Sequence, residues 1–270
     1  SWDVSSVENM TTMFCLSESF EGQGLESWDV SNVKTMYRMF DRAYAFNGDI
    51  SSWDVSSVEN TRNMFHDAIS FNKNLTNWNL SNVTDISRMF LDATSFNGDV
   101  SGWDVSNVTN FTQLFYGAES FEGQGIETWN VSNAVTMDNM FRETSISNHD
   151  LSNWDVSNVT AMNSMFQNAS SFNSDLSSWD VSNVTNFNNM FTETSLSDMN
   201  KCLIHNTWSS NVNWPYDWSG SCADCTGAIG GSAVLDDCGV CDGDNSSCTD
   251  CFGVINGEAV IDECGVCDGD

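Results

Sequence analysis

Apolar positions recur along the first two hundred residues at a nearly fixed interval. A Trp-Asp/Asn-Val/Leu-Ser motif begins at Trp2, Trp28, Trp53, Trp78, Trp103, Trp129, Trp154 and Trp179, giving steps of 26, 25, 25, 25, 26, 25 and 25 residues. Both longer steps carry the same Glu-Gly-Gln-Gly run, starting at Glu21 and at Glu122. Two glycines around one polar residue predict a turn, so the extra residue belongs in a loop and leaves the repeat intact. With each Trp as position 0, position +2 is Val or Leu80 throughout, and +5 is Val in seven repeats and Ala134 in the other. Positions +11 and +12 read Met-Phe in seven repeats and Leu114-Phe115 in one, and Phe recurs at +18 from Phe20 to Phe172.

These offsets contain two periods. Trp at 0 and Val at +2 share a face only in an extended strand. Positions +5, +8, +11/+12 and +15 step by three or four, which predicts a helical segment. Ser stands between them at +3 in all eight repeats, from Ser5 to Ser182. Ser is a favoured helix N-cap, and Glu8 and Glu59 complete Ser-x-x-Glu capping boxes. Each repeat therefore predicts a short strand, a capped helical turn and a return loop. Such a unit buries its apolar face only by stacking on neighbours. The expectation is an α/β repeat solenoid of eight rungs over residues 1–195, leucine-rich-repeat-like. An aromatic cap at 196–221 and a small disulfide-rich β-hairpin region of Cys-rich repeats at 222–270 would follow it.

At this point a resemblance enters. The pattern F-N-x-D-L-S-x-W-D-V-S-N-V-T-x-M-x-x-M-F-x-x-A resembles the 25-residue leucine-rich-type repeats of BspA-like surface proteins, over about three quarters of the chain. The resemblance implies an extracellular or cell-surface protein associated with adhesion, and it carries over no catalytic residue.

Charge narrows the function classes. The 270 residues hold 38 acidic and 8 basic side chains, a formal charge of −30. No basic footprint for nucleic acid can be assembled, nor a polybasic membrane anchor. No apolar run of about 18 residues predicts a membrane-spanning helix. With 40% hydrophobic and 12% aromatic residues the chain can still bury a large core. Its first and last residues fall inside motifs, so the chain reads as a processed product or a piece of a longer protein.

Polar candidates follow the same repeat. Position +1 stacks Asp3, Asp29, Asp54, Asn79, Asp104, Asn130, Asp155 and Asp180. These residues predict Asx-turns, with a cation ladder as the alternative. Asn-x-Ser/Thr sequons make Asn9, Asn74, Asn82, Asn107, Asn158, Asn183 and Asn245 candidates for glycosylation. The same asparagines could equally be ladder residues. His66, His149 and His205 stand at unmatched repeat positions, and no Ser/His/Asp, phosphate-loop, dinucleotide or HExxH pattern occurs, so no catalytic residue and no organic cofactor are expected.

The C-terminal cysteines repeat as C-x2-C-x12-C-x2-C at Cys222, Cys225, Cys238 and Cys241, then at Cys248, Cys251, Cys264 and Cys267. The spacing suits either disulfides or a zinc ribbon, with disulfides favoured in an acidic surface-type chain. A hairpin turning at Gly230-Gly231 would pair Cys225 with Cys238, and its copy Cys251 with Cys264. Cys241 would then meet Cys248, and Cys202 of the cap would meet Cys222. Cys267 is left over, and Cys15 is free or bonded elsewhere. Asp236, Asp237, Asp242, Asp244, Asn245, Asp262, Glu263, Asp268 and Asp270 place carboxylates and an amide on Gly-containing loops, an oxygen-rich set that suits calcium.

The sequence thus predicts a non-enzymatic extracellular structural or adhesive protein, a building block of a cell-surface layer, matrix or filament. Its partners would be copies of itself, other surface proteins or glycans. The rival expectation is a soluble module that recognises one glycan or protein on a solenoid face.

Overall fold

The computed structural model describes residues 2–224, 226–229, 233–234, 241–242 and 254. The expected α/β solenoid is not what forms. Among the described residues the one α-helix, α1, spans Asp198–Trp208, and two single 3-10 turns span Ile126–Thr128 and Ser219–Ser221. No repeat contains a strand. Within the repeats extended pairing is limited to isolated parallel bridges, Asn9 to Thr35 to Asn60 and Asp85 to Asn110 to Thr136 to Ala161 to Asn186. The repeats are built from turns.

The reason lies in the backbone of the segment read as helical. Position +10 is left-handed in every repeat, from Thr12 to Asn189, with φ between 53° and 59°. Position +14 is left-handed too, from Leu16 to Glu193, with φ between 56° and 70°. A right-handed helix cannot pass through either. In the fourth repeat the N–H groups of Ile86, Arg88, Phe90 and Asp92 leave the repeat and donate to Asn110, Thr112, Leu114 and Tyr116 of the next, at 3.2, 3.0, 2.9 and 2.7 Å. The N–H groups between them turn back three residues, Met89 to Ile86, Leu91 to Arg88 and Ala93 to Phe90. Successive turns spaced in this way reproduce the three- and four-residue steps of a helix. The left-handed residues cost about 1–2 kcal/mol each. In the first seven repeats each of them aims its own N–H at the neighbouring repeat, from Thr12 to Tyr37 through Asn168 to Thr192, and that bond offsets the cost.

The strand and cap readings at positions 0 to +5 give way for a similar reason. The side-chain oxygen of Asp or Asn at +1 accepts the N–H of Ser at +3 in all eight repeats, at 3.0–3.1 Å. Ser31 and Ser157 also donate their hydroxyls to that oxygen. Ser is therefore the second partner of an Asx-turn, as the turn alternative for the Asp column had it, and not the cap of a helix. Val at +5 then turns back to Val or Leu at +2, as in Val108 to Val105 at 2.9 Å.

Stacking builds one continuous core from these turns. Trp53, Trp103 and Trp154 are 2%, 4% and 2% exposed, so the repeated Trp is an interior residue. Phe at +12 forms a column from Phe14 through Phe40, Phe65, Phe90, Phe115, Phe141 and Phe166 to Phe191, with centroids 5.2–5.9 Å apart. Phe at +18 lies beside it at 3.8–4.4 Å in six repeats. From Trp53 to Trp179 the indole N–H of each repeat donates to the carbonyl at position −3 of the preceding repeat, as Trp103 does to Leu75 at 2.9 Å. The two Glu-Gly-Gln-Gly loops turn through left-handed glycines, Gly22 and Gly24 and again Gly123 and Gly125.

The eighth repeat is covered by residues 197–222. Ser197 caps α1 by accepting the N–H of Asn200 at 3.3 Å. Trp208 stacks on Trp179 at 6.2 Å and extends the tryptophan column by one. Trp214 stands edge-on to Trp208 and Phe187, and Phe191 donates its N–H to the Tyr216 hydroxyl at 3.1 Å. A disulfide, Cys202–Cys222, ties α1 to the end of this segment. At the opposite end Trp2 is 68% exposed.

Candidate functional site on the face of the turn pairs

Two polar strips run along the stack. The first is formed by positions +1 to +4 and is nearly identical in every repeat. Besides the Asx-turns it carries a column of amides: Asn32, Asn82, Asn107, Asn133, Asn158 and Asn183 each donate to the carbonyl of the +3 Ser one repeat back, at 2.7–2.8 Å. Four glycosylation candidates, Asn82, Asn107, Asn158 and Asn183, are therefore ladder residues whose amides already hold a backbone oxygen. Asn9 and Asn74 accept the N–H groups of Thr11 and Asp99. Asn245 lies outside the described residues.

The second strip, positions +9, +10, +13 and +14 on either side of the interior Met-Phe pair, changes from repeat to repeat. All five arginines of the chain fall on it: Arg38, Arg42, Arg62, Arg88 and Arg142. Arg38 holds the buried Asp41 at 2.5 Å, Arg42 reaches Asp67 at 3.5 Å and Arg62 reaches Asp85 at 3.5 Å. Arg88 donates to Gln113 at 2.7 Å. Arg142 lies over the Tyr116 ring at 4.9 Å and pairs with Glu143 at 3.1 Å. His66 faces Asp41 through Nδ1 at 2.9 Å and Asp67 through Nε2 at 3.4 Å. The local backbone explains why side chains can vary here. Most of the turns satisfy their N–H groups through backbone carbonyls within the stack, so few side chains of this strip are needed to hold it.

The electrostatics separate the strips as well. Hydrogen bonds from Ser hydroxyl and N–H hold the carboxyls of Asp29, Asp54, Asp104, Asp155 and Asp180 below the usual range. On the second strip burial pushes Asp92 up, with Asp67 adding repulsion, and burial pushes Asp138 up against a bond from Asn163. Cys15 is a free thiol that donates to Asp41 at 3.7 Å. Burial and the Asp41 charge raise its pKa, the reverse of what an activated nucleophile needs. Elsewhere on the surface an open hollow of about 630 Å³ is bordered by Glu21, Glu26 and Asp49, with no basic side chain among its lining residues.

Of the nine proposed calcium ligands only Asp242 is among the described residues. Its Oδ1 accepts the N–H of Val234 at 3.3 Å, while its own N–H donates to the Val234 carbonyl at 2.8 Å. Asp236, Asp237, Asp244, Asn245, Asp262, Glu263, Asp268 and Asp270 lie outside them. So do Cys225, Cys238, Cys248, Cys251, Cys264 and Cys267, and with them the pairings expected for these cysteines. Cys241 is disulfide-bonded. The turn expected at Gly230-Gly231 lies outside the described residues; an antiparallel bridge, Ala223 to Ile229, closes ahead of it.

A family model described as "Mycoplasma protein of unknown function, DUF285" matches residues 1–103 and again 84–206. The chain belongs to that family. The two matches together span the whole array of repeats and the start of the segment that covers it. No curated protein and no solved structure matches the chain. Among the described residues no helix is long and apolar enough to cross a membrane.

Reasoning from the sequence missed the second strip. Its signal was available: aligned on the repeated Trp, the five arginines fall at +9, +10, +13 and +14 and at no other offset.

Proposed function

We propose that the protein is a non-enzymatic extracellular structural or adhesive component of a cell surface, matrix or filament. In this reading the BspA-like repeat array is a stiff head, and the Cys-rich repeats of 222–270 are its stalk. One observation carries the reading. Side chains recur wherever they build the stack and change where they do not, so the array serves to display a non-repeating row on a repeating frame. The Cys202–Cys222 bond supports an oxidising compartment, and the raised pKa of Cys15 argues against thiol chemistry. Beads coated with the full chain should adhere to cells or matrix. Joint replacement of Arg38, Arg42, Arg62 and Arg88 by Ala should abolish adherence, while Asp104→Asn and Asp155→Asn on the first strip leave it intact. Adherence indifferent to the arginines, together with native material that images as a soluble monomer, would sink the proposal.

A second reading is a soluble module that recognises one glycan or protein on the same strip. The irregular group Arg38, Arg42, Arg62 and His66, confined to two adjacent repeats, favours it. Saturable one-to-one binding without self-association in light scattering would select it over the adhesive or filament reading.

A further inference from the structure

The second strip also brings together a histidine and two carboxylates that the sequence keeps apart. His66 and Asp67 are at +13 and +14 of the third repeat, and Asp92 is at +14 of the fourth. One donor atom from each lies within 4.8 Å of the other two. A stack spacing of one repeat, with both +14 residues left-handed, sets the two carboxylates side by side. The neighbouring repeat makes room for them: position +14 there is Gly117, and a Cβ on it would lie 2.2 Å from Asp92 Oδ1. Left-handed residues at +14 elsewhere in the array carry side chains, so Gly117 leaves the Asp92 carboxylate in its place without being required by the backbone.

A second, independent feature is buried behind the histidine. Asp41 is 0% exposed. Its Oδ2 is taken by Arg38 and approached by Cys15. Its Oδ1 is a buried oxygen without a hydrogen bond, although His66 Nδ1 lies only 2.9 Å away. The contact is close enough for a bond but out of line. Histidines that ligate metals through one ring nitrogen characteristically donate the other to a carboxylate. Asp41 stands where that carboxylate would be, and its charge is already matched by Arg38. Among the described residues Arg42, 3.5 Å from Asp67, is the one arginine or lysine paired with these carboxylates, and Glu119 and Glu143 add negative potential at Asp92.

We propose that His66, Asp67 and Asp92 form a binding site for a divalent transition-metal ion of the zinc class, with Asp41 positioning His66. One imidazole and two carboxylates suit such an ion better than the all-oxygen shells of calcium or magnesium. Two negative charges and a neutral imidazole also match its charge. The burial that pushes Asp92 up and the repulsion from Asp67 would be relieved by the cation. Its role would be to staple the third repeat to the fourth, with no chemical step assigned to it.

The test is titration of the full, untagged chain with Zn2+ by calorimetry and with Co2+ by visible absorption. The expected result is one saturable equivalent whose cobalt spectrum lacks a thiolate charge-transfer band and which Ca2+ does not displace. His66→Ala and Asp92→Asn should each abolish that equivalent. Asp41→Asn, which touches no ion, should weaken it by about 10–100-fold. Asp92→Asn suits the left-handed backbone and stays informative even where a change at buried Asp41 disturbs folding. Absence of binding, a thiolate band, or an equivalent that survives His66→Ala would each overturn the proposal.

Discussion

The two polar strips share one backbone and differ in what their side chains do. On the first, the Asx oxygen, the Ser hydroxyl and the Asn amide are parts of the frame, and they recur because every repeat needs the same bonds. On the second, the frame closes through N–H groups that pass from repeat to repeat, and the side chains above it are free to differ. Repetition in this chain therefore marks structural work, and irregularity marks the places open to chemistry. The histidine, the free thiol and all five arginines stand on the irregular strip.

The largest effect should come from beneath both strips. Phe90 is fully buried and stacks on Phe65, Phe96 and Phe115 at 5.2, 4.0 and 5.5 Å. Phe90→Ala should cost about 3–5 kcal/mol in denaturant unfolding, whereas Arg88→Ala two residues away should stay within about 0.5 kcal/mol. Because the column continues through the neighbours, several repeats should lose hydrogen-exchange protection together. Loss confined to the fourth repeat would break the picture of a single interior.

A smaller effect should separate the strips themselves. Asn107 donates to the Ser81 carbonyl at 2.8 Å as part of the frame. Asn107→Ala should therefore cost about 1 kcal/mol. The Gln113 side chain accepts from Arg88, a side chain of the same strip, and Gln113→Ala should be nearly silent. Equal costs in equilibrium unfolding would erase the distinction between frame and display.

The same distinction explains what could be read from the sequence. The 25-residue period, the interior set and the Asx-turn at +1 follow from composition at fixed offsets, because packing and turn chemistry act on side-chain type. The helix did not follow. Its three- and four-residue spacing is shared by consecutive turns, and periodicity alone does not tell them apart. What does tell them apart is residue type at the left-handed positions. At +14 Asp67, Asp92, Gly117 and Asn168, and at +10 Asn63, Asn139 and Asn189, are the residues that tolerate positive φ. The remaining occupants, such as Arg38, Arg42 and Leu16, hide that signal. The histidine–aspartate group was harder still, since His66 and Asp67 come from one repeat, Asp92 from the next and Asp41 behind them from the one before, all ordinary polar residues.

The smallest effect is a pair of opposite signs in pH dependence. Asp104 belongs to the first strip, and bonds from the Ser106 hydroxyl and N–H lower its pKa below 3.8. A depressed carboxyl contributes stability above its unfolded pKa and loses it as pH falls through the folded value. Asp138 belongs to the second strip, and burial raises its pKa above 3.8 despite the bond from Asn163 at 2.7 Å. Its ionised form is a cost at neutral pH that disappears as pH falls through the raised value. Asp104→Asn should therefore lower stability slightly at pH 7, the more so in low salt because the site is exposed and screened. Asp138→Asn should raise it, since the amide oxygen can still accept from Asn163 without a buried charge. Both differences should shrink in acid, that of Asp138 first, because its folded pKa is the higher. Chemical denaturation of the two variants and the parent chain between pH 3 and pH 7, roughly the span of carboxyl titration, measures both curves. Differences of the same sign would mean that the strips do not divide the acidic residues into frame and display.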